Sequence, residues 1–182
     1  NCWLPLHEMT TIRNREYYTK HPEFHAYLHP EIPSYEKQIA ARDQILNRYP
    51  QLKMVGAHLG SLEWSIDELA SRFRRYPNFF VDCSSRMGHL QLQSVHRHEA
   101  VRHFFIEYAD RILYGTDAYD NPEKLEHALV NDWQFLATNE DGQVPGQAGN
   151  FRGLSLPEQV LHQIYFDNAL KIYNRLSYKK NS

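Results

Sequence analysis

Hydrophobic and polar positions fall into a regular order along this chain from residue 34 onward. Ser34 stands where a helix N-cap is favoured, and Ile39, Ile45 and Leu46 then recur on one helical face to about Arg48. The run Leu52-Lys-Met-Val-Gly-Ala57 predicts a short strand that ends at His58-Leu-Gly60. Ser65-Ile-Asp-Glu68 is a capping-box pattern, in which a hydroxyl and a carboxylate three residues apart satisfy free N–H groups, so a helix should run from it to about Arg75. Residues 78–82 predict a second strand, 83–88 a loop, 98–108 a helix, 111–115 a third strand and 122–136 a further helix. The polar, glycine-containing stretch 139–153 reads as a loop and as the best candidate for a disordered or variable insertion. A second capping box, Ser155-Leu-Pro-Glu158, opens a last expected helix to about Leu176, and 178–182 reads as a frayed polar tail.

Residues 1–33 break this order. Prolines at 5, 22, 30 and 33 interrupt any period, and Tyr17, Tyr18, His21, Phe24, His25, Tyr27 and His29 crowd the segment. A long ordered loop is uncommon in a compact domain unless it lines a site, which is the expectation for this one. Beyond it, short apolar strands alternate with helices long enough to serve as crossovers. That is the pattern of a parallel sheet covered on both faces, an α/β fold in one domain over residues 1–182.

Composition narrows the classes. The chain has 182 residues, with 20 Lys+Arg against 22 Asp+Glu for a net charge of −2, which argues against a nucleic-acid surface. No apolar run reaches the roughly 18–20 residues of a membrane helix, so no membrane partner is expected. Two cysteines, Cys2 and Cys83, are too few for a disulfide framework. The chain starts at Asn1 rather than Met, so its natural N-terminus is expected to lie upstream and the compartment stays open, cytoplasmic by default.

The 11 histidines are the unusual feature. In parallel α/β folds ligands sit at the carboxyl ends of strands. Those ends carry His58, then Asp82 with Ser84, Ser85 and Arg86, then Thr116-Asp117. An imidazole and a carboxylate on one rim could share a divalent metal, the carboxylate also taking a proton from water. Each has a plainer reading: His58 as a strand-end hydrogen-bonding group, Asp117 as a turn residue. Asp82 reads as structural, since a strand-end Asp often satisfies backbone N–H groups. His89, His96, His98, His103, His127 and His162 read as surface or packing residues. A His-Glu-x-x-His motif, a phosphate-binding Gly-rich loop and a Gly-x-Ser-x-Gly elbow are all missing from the sequence.

Four runs taken together resemble a known family: Tyr49-Pro-Gln-Leu-Lys-Met-Val-Gly-Ala-His58-Leu-Gly60, Tyr76-Pro-Asn-Phe-Phe-Val-Asp82, Arg111-Ile-Leu-Tyr-Gly-Thr-Asp117 and Phe166-Asp-Asn-Ala-Leu-Lys-Ile-Tyr173. They look like the C-terminal half of a metal-dependent amidohydrolase, of the amidohydrolase-2 branch related to aminocarboxymuconate-semialdehyde decarboxylase. The resemblance implies a (β/α)8 TIM barrel, present here as a partial barrel of about strands 5/6 to 8. It implies a divalent metal, Zn or Mn, held by His58 and Asp117, with Asp117 as general base and the fifth-strand ligand either His7 or a histidine preceding Asn1. The family's strand-one His-x-His has no counterpart, so the chain alone should bind metal poorly and be inactive. Residues 1–33 would then fold over the barrel mouth, with His25, His29 and Arg86 contacting a small-molecule substrate. The open barrel edge implies association into a homo-oligomer. The implied reaction is hydrolysis of a C–N or C–O bond, or non-oxidative decarboxylation. The alternative is a small flavodoxin-like α/β binding module without catalysis.

Overall fold

The structure is a computed structural model and describes residues 5–9, 12–117, 122–146 and 149–173. The tail at 178–182, the expected helix end at Leu176 and Cys2 lie outside the described residues. Three strands, β1 (Met54–Gly56), β2 (Phe79–Asp82) and β3 (Ile112–Leu113), form a parallel sheet in chain order β1-β2-β3. Val55 stands opposite Phe80, and Asp82 opposite Leu113. The order has no reversal among the described strands. Each strand is shorter than the sequence pattern suggested, because the backbone leaves the ladder at the rim to build turns.

Several helices follow their signals. Helix α1 spans Ile12–Lys20 and helix α2 spans Tyr35–Arg48. The N–H of Lys37 donates to Ser34 Oγ at 3.4 Å, so Ser34 caps α2 as expected. Helix α3 (Ile66–Arg75) is capped by Ser65, whose Oγ accepts from Glu68 N–H at 3.3 Å. Ile66, Leu69, Ala70 and Phe73 form its buried face. Helix α4 (Met87–Glu107) starts eleven residues before the expected His98 and is interrupted at Arg97, where φ is −138°. Arg97 leaves helical geometry while its guanidinium forks onto Asp67 of α3 at 2.7 and 3.1 Å. Helix α5 spans Pro122–Ala137. The chain then returns through α6 (Glu158–His162), a π-helical turn (Gln163–Asp167) and α7 (Asn168–Ile172). Asn168 is buried, and its amide donates to the carbonyls of Ala109 and Ile112, both at 2.7 Å, which docks α7 beneath β3.

Three expectations need correction. Residues 1–33 are not irregular throughout, since they contain α1 and 3-10 turns at Leu6–Glu8, Pro22–Phe24 and Ala26–Leu28. The stretch 139–153 is not a disordered insertion. It holds an antiparallel hairpin, β4 (Asp141–Gln143) with β5 (Asn150–Arg152). Phe151 is fully buried, and its ring lies 5.0 Å from Phe135, which in turn meets Phe105 at 6.4 Å. A buried aromatic ring stabilises by roughly 2–3 kcal/mol, enough to order a short hairpin whose own backbone signal is weak. Finally, α6 is preceded by Pro157 with no side-chain cap, so Ser155 does not form the second capping box; with φ 45° it serves a left-handed turn instead.

Candidate functional site

The end of β1 carries an unusual backbone. His58, Leu59, Gly60 and Ser61 have φ values of 55°, 55°, 62° and 58°, four consecutive residues in the left-handed region. Left-handed geometry costs roughly 1–2 kcal/mol per non-glycine residue, so the surroundings must impose it. They do so from two elements. From β2, Asp82 Oδ1 accepts the His58 N–H at 3.0 Å. From α2, the Arg42 guanidinium donates to the Gly60 carbonyl, and the Tyr35 hydroxyl donates to the Ser61 carbonyl at 2.5 Å. Trp64 Nε1–H then donates to the Tyr35 hydroxyl at 2.8 Å. Glycine is required at position 60: a Cβ there would stand 2.8 Å from the Phe79 ring.

This turn aims His58 at the next strand end. His58 Nδ1 lies 2.7 Å from the Ser84 carbonyl oxygen, which can only accept. Nδ1 therefore carries a proton, so in the neutral ring the lone pair is on Nε2. Asp82 Oδ1 also accepts the Ser84 N–H at 3.0 Å, so one carboxylate oxygen fixes both ends of the link that holds the imidazole. The neighbouring residue, Ser85, has φ 53°, and its Oγ–H donates to Asp117 Oδ2 at 3.1 Å. Ser85 N–H also donates to the Thr116 carbonyl at 3.2 Å, and Asp117 itself has φ 60°. The ends of β1, β2 and β3 thus meet on one rim. His58 and Asp117 are linked there through two adjacent serines, Asp117 exposed and His58 half-buried.

Behind the rim Arg86 Nε donates to Glu63 Oε1 at 3.1 Å, and its NH1 donates to the Ser85 carbonyl at 3.1 Å. Burial holds the neighbouring His89 imidazole below its ordinary pKa, against the opposing pull of Glu63. The guanidinium expected to meet a substrate carboxylate therefore already has a protein carboxylate on one edge.

The expected histidines of the first segment lie otherwise. His25 is 1% exposed, with its ring 5.3 Å from that of Tyr18 and 5.7 Å from that of Tyr27, so packing rather than a solvent-borne substrate occupies it. His29 has one ring nitrogen 3.1 Å from Glu31 and the other 3.1 Å from the Pro22 carbonyl, both within its own segment. His7 has an 81% exposed side chain and lies 3.6 Å from Glu8. Among the described residues no group of three or more His, Cys, Asp or Glu is arranged to hold a metal ion, so His7 does not complete a ligand set with His58 and Asp117. The two rim groups suit a divalent ion chemically, as one neutral imidazole nitrogen and one carboxylate, and they fall short of the three protein ligands typical of a catalytic site.

A cavity of about 100 Å³ lies at the opposite, N-terminal end of the strands, lined by Leu46, Tyr49, Pro50, Tyr76 and Phe79, away from this chemistry. Tyr35, Arg42 and Trp64 support the rim, and no local sequence signal marks them, because their role arises from contacts 18 to 29 residues apart. Compared with known proteins, the chain matches the family model described as Amidohydrolase over residues 22–175. No curated protein and no solved structure matches it.

Proposed function

The chain belongs to the amidohydrolase family, and from that premise we propose that it supplies the rim of a metal-dependent hydrolase acting on a C–N or C–O bond of a small molecule. The family implies a TIM-barrel fold, of which this chain would contribute about strands 5/6 to 8. Within the family the reading places it in the branch related to aminocarboxymuconate-semialdehyde decarboxylase, where decarboxylation is the neighbouring chemistry.

The observation that carries the reading is the left-handed turn at His58–Ser61, tied by Asp82 to the strand ends that also carry Asp117. A turn so strained, held by side chains from two other elements, is the kind of feature that accumulates at working sites. His58 Nε2 and a carboxylate oxygen of Asp117 would be two donors to a divalent ion, Zn or Mn, with further donors from beyond the described residues. Such an ion, when bound, acidifies water and polarises a carbonyl. The chain's own groups do the rest. Asp117 takes the proton of the attacking water on its carboxylate and returns it to the leaving group. Ser85 Oγ–H orients that carboxylate through Oδ2. The Ser84 carbonyl keeps the proton of His58 on Nδ1. Arg86, steadied by Glu63, is the proposed contact for an anionic substrate group.

The test is turnover of a panel of amides, lactones and aromatic carboxylic acids by the full-length protein, loaded with Zn or Mn. Asp117→Asn should lower kcat at least a hundredfold with the fold intact. Undiminished turnover would remove Asp117 from the chemistry.

A further inference from the structure

A cluster of buried polar groups at the end of β3 takes no part in the proposed chemistry. Asp132 on α5 is 7% exposed. Its Oδ2 accepts the Tyr114 hydroxyl at 3.1 Å, and no Lys or Arg pairs with it among the described residues. Tyr114 directly follows β3, and its N–H donates to the Ile164 carbonyl of the π-helical turn at 3.0 Å. Tyr165, on that same turn, has its ring 4.4 Å from the Tyr114 ring, and its hydroxyl is buried with no hydrogen-bond partner. The Asn131 side-chain nitrogen is likewise buried without one. Cys83, fully buried just beyond β2, completes the surroundings of Asp132, and the charge of Asp82 reaches Cys83.

We propose that Asp132, Tyr114 and Tyr165 form a proton-operated latch on the end of β3, closed by the neutral carboxyl and rearranged when that carboxyl ionises. A neutral carboxyl brings no charge into this setting, and its Oδ2 accepts from Tyr114. A buried carboxylate does bring one, and each uncompensated lone pair costs free energy. It needs a second donor, and the unpartnered hydroxyl of Tyr165, on a ring 4.4 Å from that of Tyr114, is a spare one. Recruiting it moves the π-helical turn, an element that commonly marks functional deformation in helices. The motion reaches Tyr114 and, through Gly115 and Thr116, the segment that ends in Asp117.

Of the described groups facing Asp132, only Tyr114 donates to it, and none carries a positive charge. Tyr114 faces it from β3, Tyr165 from the π-helical turn and Cys83 from β2. Burial is the main cause that pushes the Asp132 carboxyl up to about 7, while the Tyr114 donor pulls the other way. Burial together with the Asp132 charge also pushes both tyrosines and Cys83 upward. The latch therefore works near neutrality. It does not depend on the hydrolase reading.

The experiment is an NMR pH titration of Asp side-chain carboxyl carbons in the chain, with Asp132→Asn identifying the Asp132 signal by its loss. The expected result is a midpoint near neutrality, with the Tyr114 and Gly115 amides shifting at the same midpoint, and these amide shifts vanishing in Asp132→Asn. Tyr165→Phe, which removes only the hydroxyl, should raise the midpoint so that the carboxylate population at pH 7 falls several-fold. A midpoint in the ordinary Asp range near about 4, strand-end amides that ignore the titration, or a Tyr165→Phe midpoint equal to wild type would each overturn the latch.

Discussion

Asp82 accepts the backbone N–H of His58 at 3.0 Å, so the carboxylate at the end of β2 sets where the imidazole at the end of β1 stands. The same oxygen accepts from Ser84, whose carbonyl receives His58 Nδ1. Asp82 is thereby a positioning residue, and its effects should be separable from those of a ligand.

Asp82→Ala leaves two N–H groups without an acceptor and should cost about 2–3 kcal/mol in urea denaturation. Asp82→Asn keeps a carbonyl oxygen in place and should cost under about 1 kcal/mol. Nitrogen-15 NMR of the His58 ring should show the Nδ1–H tautomer in wild type and Asp82→Asn, and a mixture in Asp82→Ala. Equal tautomer populations in all three would separate Asp82 from the imidazole.

Gly60→Ala tests the turn itself. With φ +62° and a Cβ 2.8 Å from the Phe79 ring, alanine meets both an unfavourable backbone and a collision. Destabilisation of at least about 2 kcal/mol is expected in chemical denaturation, together with loss of the His58–Ser84 hydrogen bond by NMR.

The hairpin 141–152 should behave as part of the core. Phe151→Ala removes a fully buried ring between Phe135 and Gly142 and should cost about 3–5 kcal/mol. Hydrogen exchange at Val144 and Phe151 should be slow in wild type. Fast exchange there would make the hairpin a detachable flap.

Asp132 gives a pH dependence with a definite sign. Its folded pKa of about 7 lies above the ordinary 3.8, so the native state keeps a proton that the unfolded chain has lost over that interval. Stability from this group is full below pH 4, declines as pH rises toward 7 and levels off above it. Against Asp132→Asn, wild type should lose roughly 4 kcal/mol across that window, from about 1.4 kcal/mol per unit. Paired denaturation curves at pH 4, 5.5, 7 and 8.5 measure it, and parallel profiles for the two proteins would place Asp132 in an ordinary solvated setting.

The sequence by itself determined the alternation of helix and short strand, the caps at Ser34 and Ser65, and the strand-end positions of His58, Asp82 and Asp117. These are local matters: period, capping chemistry and the end of an apolar run are written in adjacent residues. The backbone-satisfying role of Asp82 was legible for the same reason. Tertiary structure alone decided the left-handed turn at His58–Ser61, since Leu59 and Ser61 have no local preference for positive φ and are held there by Asp82, Arg42 and Tyr35. It alone ordered the polar hairpin, through one phenylalanine reaching a distant aromatic stack, and it withdrew His25 into packing between tyrosines that its sequence neighbourhood had offered as a pocket wall. Capping and periodicity act over a few residues, whereas strain, burial and the orientation of a ring are settled by whatever the rest of the chain brings alongside.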